Sequence, residues 1–216
     1  MRVRHKPWAR GKMEQYPEIV IVSPKTCSGE WYDVFGREAP LHVEIGTGKG
    51  QFITEMARRH PEMNFVGIEI NESIMVSALN ACLDAELKNL RLILGDARLL
   101  TEFFAENEVD ALYLNFCDPW PKARHEKRRL TYSAFLAQYD YVLKTDGLIQ
   151  LKTDNEGLFT YSLESFSQYG FVLSDISLDL HRQSDPENVV TEYEEKFAAQ
   201  NKRIFRCRAK RPDERA

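Results

Sequence analysis

The residues of this chain best suited to chemistry are acids placed where an apolar side chain would serve a core better. Glu44 lies inside the apolar run Leu41-His-Val-Glu-Ile45, which continues into Gly46, Gly48 and Gly50. A buried carboxylate is costly unless something compensates it, so Glu44 predicts a partner. Glu69 ends a second apolar run that starts at Asn64, and it lies 21 residues beyond Gly48. An acid at that distance from a glycine loop is placed to accept hydrogen bonds from ribose hydroxyls. Asp96 and Ala97 follow a third run, Leu90-Arg-Leu-Ile-Leu-Gly95. Each acid alone also reads as an ordinary strand-end residue. Three in register describe a cofactor site, because ligands of open α/β sheets bind outside the carboxyl ends of the strands.

The glycines narrow the choice of ligand. A phosphate-binding P-loop needs G-x-x-x-x-G-K-[ST], and Lys49 lies inside the glycine run with Gly50-Gln51 after it. The dinucleotide fingerprint G-x-G-x-x-G fails as well, since the spacing here is G-x-G-x-G. That counts against a nicotinamide dehydrogenase. Taken alone, the glycines leave a plain strand-to-helix turn and a cofactor loop equally open.

A second group of residues follows the fourth apolar run. In Phe116-Cys-Asp-Pro-Trp-Pro-Lys122 the two prolines stiffen the backbone and bar a helix. The loop therefore projects Asp118, Trp120 and Lys122 from a strand end, with Trp120 packed inward or facing a ligand. Asp154 ends the next strand. Thr191-Glu-Tyr-Glu194 reads as a capping box, a helix start that needs no function, and a site role is compatible with it.

Net charge is −4 over 216 residues, which counts against nucleic acid in bulk. Distribution reverses this. Residues 1–12 hold five Lys or Arg, residues 122–129 another five and residues 202–215 seven, with only three acids among them. Such segregation points to a polyanionic partner. The four cysteines (Cys27, Cys82, Cys117, Cys207) are far apart, which suits a reducing cytoplasm and no metal or disulfide framework. No apolar run reaches the 18 residues of a membrane span, and the N-terminus lacks a signal-like apolar core.

These residues need elements to hold them. Strands and helices alternate after residue 40, which predicts an α/β fold around a mostly parallel sheet. Seven strands are expected, near 41–45, 64–70, 90–95, 111–116, 148–153, 171–178 and 203–208. The last alternates roughly, as an exposed antiparallel edge does. Helices are expected near 51–60, 72–87, 99–106, 131–144 and 156–169, on both faces. Residues 1–40 read as a basic arm with a short helical element, and 41–216 as the main domain.

The strand-and-glycine motif ending in Gly50 resembles the first motif of Rossmann-like S-adenosylmethionine-dependent methyltransferases. Asp118-Pro-Trp-Pro-Lys122, the basic loop after it, Lys152-Thr-Asp-Asn155, Thr191-Glu-Tyr-Glu194 and the arm 2–9 carry the resemblance further. Together they are similar to the bacterial tRNA (guanine-N7)-methyltransferase family over nearly the whole chain. The resemblance implies S-adenosyl-L-methionine held by Glu44, Gly46, Gly48, Glu69, Asp96, Ala97 and Asp118. Glu44 would lie near the methionine part, Glu69 at the ribose and Asp96 by the adenine. It also implies substrate contacts at Lys122, Asp154, Thr191, Glu192, Tyr193 and Glu194. RNA contacts would run along Arg124, His125, Lys127, Arg128 and Arg129. The implied reaction methylates N7 of a variable-loop guanosine of tRNA, with Asp118 as the catalytic carboxylate.

Guanine N7 carries a lone pair and no proton, so attack on a sulfonium methyl needs placement rather than a base. The base becomes cationic, and carboxylates at its N1–H and 2-amino group stabilise that charge. Asp118 and Asp154 suit this role, while Trp120 or Tyr193 suits stacking. Alternatives are an exocyclic-amine methyltransferase and a cofactor-binding RNA chaperone without catalysis. The sequence leaves monomer and homodimer equally open.

Overall fold

The computed structural model describes residues 5–22, 24–182 and 185–211. Arg2, Arg4 and Arg215 of the two basic termini lie outside them. Eight strands form one sheet: β1 (Val20–Ile21), β2 (Leu41–Ile45), β3 (Asn64–Glu69), β4 (Leu90–Leu94), β5 (Val109–Asn115), β6 (Leu143–Thr153), β7 (Val172–Ser177) and β8 (Phe205–Lys210). Their order is β1-β4-β3-β2-β5-β6-β8-β7. All pairings are parallel except those of β8 with β6 and β7. The order reverses between β2 and β5, which opens a crevice at their carboxyl ends.

Side-chain alternation along the strands divides the core in two. Val43, Val66, Ile93, Leu112, Ile149 and Cys207 face one apolar layer. It is closed by α2 (Trp31–Phe35), α5 (Leu100–Phe103), α6 (Ser133–Val142) and α7 (Glu156–Tyr169). Phe65, Leu92, Ala111 and Tyr113 face the other, under α1 (Ala9–Met13), α3 (Gln51–Arg59) and α4 (Glu72–Asp84). Helix starts follow local chemistry. Asn71 caps α4 by accepting from Ser73 and Ile74 N–H, at 3.0 and 3.3 Å. Asn155 caps α7 through Leu158 N–H at 2.8 Å, and left-handed Gly170 ends that helix. The last helix is α8 (Glu192–Ala198).

Two expectations need correction. Seven strands were expected and eight are present, because Val20–Ile21 pairs with β4. Two residues are too few for alternation to reveal a strand. The expected edge strand, β8, lies instead between β6 and β7, with Phe205, Cys207 and Ala209 buried. Of its alternate basic residues, Lys210 is exposed, but Arg206 and Arg208 turn to acidic partners. Arg206 pairs with Asp175 and Asp185, and Arg208 with Asp175. The true edge is β7, where Val172 and Ile176 are 57% and 50% exposed.

Candidate active site at the carboxyl ends of the strands

Glu44 emerges from β2 into the crevice and is buried. Its Oε2 accepts from the Thr47 hydroxyl at 2.7 Å and its Oε1 from Asn115 Nδ2 at 2.8 Å. These bonds do not repay burial, which pushes its pKa up to about 7. The glycine turn beside it is left-handed at Gly46, Gly48 and Gly50. Gly50 has a further constraint. A Cβ there would stand 2.9 Å from Cα and Cβ of Ala78, so the turn seats directly on α4.

Glu69 ties the turn to β3. Its Oε2 accepts from Gly48 N–H at 3.1 Å and its Oε1 from Asn71 N–H at 2.9 Å. Burial raises its pKa despite these bonds, and the negative charge of Asp118 adds to the rise. Glu44 in turn feels Glu69, so the three carboxylates form one negative cluster. Asp96 caps the turn after β4 by accepting from Arg98 N–H at 2.9 Å and from Arg98 Nε at 2.9 Å. The Arg98 guanidinium holds its carboxyl below the usual range. Ala97 follows at the start of that turn.

The loop after β5 carries exposed Asp118. Phe116 and Trp120 bracket it with φ of +51° and +41°, conformations unusual for such side chains. The surroundings hold both. Phe116 N–H donates to Lys152 O at 2.8 Å, and Trp120 O accepts from Arg129 Nε and Nη2 at 3.3 and 3.2 Å. Arg128 lies over the Trp120 ring at 4.8 Å and His125 meets its edge at 5.6 Å. Trp120 is thus packed by its own loop.

The basic segment is a 3₁₀ turn, Ala123–Arg128. Lys122, Arg124, Lys127 and Arg128 are exposed there, and none makes an ion pair among the described residues. The terminal clusters differ. Lys202 pairs with Asp154 at 3.0 Å, Arg203 with Glu156 at 3.4 Å, Arg211 with Asp140 at 3.1 Å, and Lys210 with Asp146. Near the N-terminus, Arg10 pairs with Glu14 and Glu72, while Lys6 and Lys12 donate to Ser77 and Asn80 of α4 at 3.4 and 2.5 Å. Among the described residues, the C-terminal stretch is thus held in ion pairs, Lys6 and Lys12 bond neutral side chains of α4, and the turn Ala123–Arg128 keeps a cationic ridge close after Asp118.

Asp154, Tyr193 and the β5 loop converge. Tyr193 is 54% exposed and its ring stacks toward Phe116 at 6.3 Å. Phe197 touches both rings, at 6.0 and 6.1 Å, and Lys202 Nζ lies 4.3 Å over Phe197. Glu192 meets Lys49 of the glycine turn at 3.0 Å. Thr191 caps α8 by accepting from Glu194 N–H at 3.0 Å. Only half of the capping box forms. The Glu194 carboxylate turns inward, fully buried, where it accepts from Lys152 Nζ at 2.8 Å and Asn188 Nδ2 at 2.7 Å. In this structure it is an occupied internal acceptor.

Asn115 and Lys152 were missed as site residues. The signal existed, since each is a polar residue within an apolar strand, as Glu44 is. Phe116, Phe197 and Lys202 carry no such mark and come together only in space.

This fold is that of the Rossmann-like methyltransferases. The chain superposes on the 16S rRNA methyltransferase KamB with a TM-score of 0.64 at 14% identity, covering 85% of this chain and 93% of that one. A 16S rRNA (adenine(1408)-N(1))-methyltransferase from Catenulisporales acidiphilia gives 0.62 at 16% identity, covering 90% and 94%. A family model described as "Putative methyltransferase" matches residues 38–207. The tRNA (guanine-N(7)-)-methyltransferase of Geobacillus kaustophilus is 57% identical over 216 residues, all of both chains. That of Listeria monocytogenes serotype 4a is 52% identical over 210 residues, 97% of this chain and 98% of that one. The chain belongs to the tRNA (guanine-N7)-methyltransferase family.

Proposed function

We propose that this protein transfers a methyl group from S-adenosyl-L-methionine to N7 of a variable-loop guanosine in tRNA. The observation that carries the reading is the unpaired cationic turn Ala123–Arg128 beside the carboxylate cluster Glu44, Glu69 and Asp118. The ridge suits a polyanion, and the cluster suits a cationic cofactor. Within residues 1–40, the stretch from Ala9 to Phe35 would belong to the methyltransferase domain itself, since β1 pairs with β4 and Met13 and Trp31 are buried, and a tRNA substrate puts the protein in the cytoplasm. No described helix is long and apolar enough to cross a membrane.

The crevice fits that cofactor. Asn115 Oδ1 is buried there without a hydrogen-bond partner, beside a carboxylate that burial has left half-protonated near neutral pH. An ammonium group would satisfy both. The Glu69 oxygens each keep a lone pair for ribose hydroxyls. Ile70, 64% exposed beside Glu69, offers an aliphatic surface to the purine along with Asp96 and Ala97. When bound, the cofactor would supply a sulfonium methyl that the in-plane N7 lone pair attacks without a base, the sulfur leaving as the neutral thioether S-adenosylhomocysteine.

The chain's own task is placement and charge. Tyr193 presents a ring to the guanine. Asp118, on its stiff loop, and Asp154, held by Lys202, accept from guanine N–H groups as positive charge builds on the base. Lys122, Arg124, Lys127 and Arg128 hold the tRNA backbone. His125 and Arg129 act mainly by fixing Trp120 and hence the loop. Among the described residues, no group of His, Cys, Asp and Glu side chains suits a metal.

The test is transfer of labelled methyl to bulk tRNA, followed by nucleoside analysis. Label in 7-methylguanosine is expected. Label in an exocyclic amine would establish the alternative chemistry, and absence of transfer would leave only a binding protein.

A further inference from the structure

The sheet face under α3 is apolar at Leu90 and Leu92 of β4, Phe65 of β3 and Ala111 of β5 but turns polar toward the carboxyl ends of β5, β6 and their neighbour β8. Register places Asn115 beside Lys152 and Lys152 beside Arg206. One step along, Glu44, Tyr113, Gln150 and Arg208 form a second row. Phe52 of α3 reaches Tyr113 and Lys152 there, and the segment 185–198 lies over the rest, attached through polar groups. Arg206 holds Asp185, and Arg59 reaches Pro186 O at 3.5 Å.

Lys152 is the centre of that attachment. Its side chain is fully buried. The ammonium donates to Asn188 Oδ1 at 3.1 Å, Val189 O at 2.8 Å and Glu194 Oε2 at 2.8 Å. Those are all three of its protons. It also lies 5.2 Å from the face of the Phe52 ring, at the start of α3. Glu44 has no proton from it but feels its charge, with Asn115 between them. His181 touches the second oxygen of Glu194 at 3.3 Å. One buried cation therefore faces a carboxylate on the cofactor side and a carboxylate on α8. Without it, three acceptors of the segment 188–194 would converge with no donor, a costly arrangement.

We propose that Lys152 is a positioning residue that links the two halves of the site, docking α8 against β6 beside the strand end that carries Asn115. Docking fixes Tyr193 over Phe116 and Glu192 against Lys49. The cofactor acts through contacts that reach the same segment: it bears on the glycine turn, whose Lys49 holds Glu192 at 3.0 Å, and on Asn115, the neighbour of Lys152 across β5 and β6, and so steadies α8. The substrate side is thereby completed when the cofactor side is filled. This inference rests on the methyltransferase reading, but its test does not need turnover.

Hydrogen exchange of the 192–199 amides reports docking directly. In the wild-type protein, S-adenosylhomocysteine is expected to slow that exchange. Lys152→Met should speed it by about tenfold or more, since local opening sets the rate, and remove its response to the cofactor. The α7 amides should stay protected. Because Lys152→Met strands a buried carboxylate, Lys152→Met/Glu194→Met is the companion that preserves folding, and it should show the same fast, cofactor-insensitive 192–199 exchange with a raised KM for tRNA. Two results would overturn the proposal: wild-type exchange indifferent to the cofactor, or unchanged 192–199 exchange in a folded variant. If wild-type protein methylates no tRNA, the functional reading fails while the exchange result still judges Lys152.

Discussion

Asn115 and Glu44 share one hydrogen bond, 2.8 Å from Nδ2 to Oε1, and that bond leaves Asn115 Oδ1 buried without a partner. The pair presents an amide oxygen and a strained carboxyl to the same crevice. A cationic ligand relieves both, so cofactor binding should track the ionisation of Glu44. Its pKa of about 7 predicts that affinity for S-adenosylhomocysteine weakens as pH falls below that value, by up to about tenfold per unit. Glu44→Gln should bind more weakly by about 1.5–3 kcal/mol, the range for charged hydrogen bonds, and lose the pH dependence. Calorimetry across neutral pH decides, and a flat wild-type profile would remove Glu44 from the cofactor site.

The same carboxyl shapes stability. Its pKa rises from 4.5 in the unfolded chain to about 7 when folded. Between those values the folded state binds more protons than the unfolded one. Stability from this group is thus full below about 4.5 and lost as pH rises through about 7, a change of about 3 kcal/mol. His42 acts oppositely, because burial lowers its pKa from 6.5 to about 4. Its contribution is present above about 6.5 and lost as pH falls through about 4. In the wild type the two offset each other. Urea unfolding of Glu44→Gln and wild type should diverge in favour of the variant as pH rises from about 4.5 to about 7. A constant difference would mean that Glu44 is not perturbed by burial.

Asp118 should govern turnover more than tRNA affinity, since its carboxylate meets charge that develops during transfer. Asp118→Asn is expected to slow single-turnover methylation about 100-fold, as for loss of one preorganised electrostatic group. Saturating cofactor and tRNA separate this from binding. Near-normal rates under those conditions would assign Asp118 to the cofactor alone.

The cationic turn should account for salt-dependent tRNA binding. Replacing Lys122, Arg124, Lys127 and Arg128 by Ala should weaken tRNA binding and flatten log affinity against log salt, by somewhat under about one unit for each phosphate that is no longer neutralised. Arg129 is left in place because it holds Trp120 O and covers Tyr161 at 4.2 Å. Cofactor affinity should not change. Retention of the wild-type slope would move RNA binding to other basic residues.

The sequence by itself determined the features that arise within a few residues of one another. The β2 strand, the glycine turn and α3 form one local unit, and a carboxylate inside an apolar strand marks a site wherever the strand lies. Asn71 and Asn155 announce their helices in the same way. Tertiary structure decided what depends on sheet order. Arginines alternating with apolar residues in β8 read as a solvent-facing edge, yet they face aspartates of β7 and the segment after it. Alternation reports two different faces and not which of them meets water. The ion pairs that silence the C-terminal basic cluster are likewise invisible in composition. Glu194 and Lys152 stand 42 residues apart, and only the pairing of β6 with β8 and the path of the chain over them turn a helix-capping motif into a buried ion pair. Long-range contacts of this kind are set by the packing of whole elements, which no local pattern encodes.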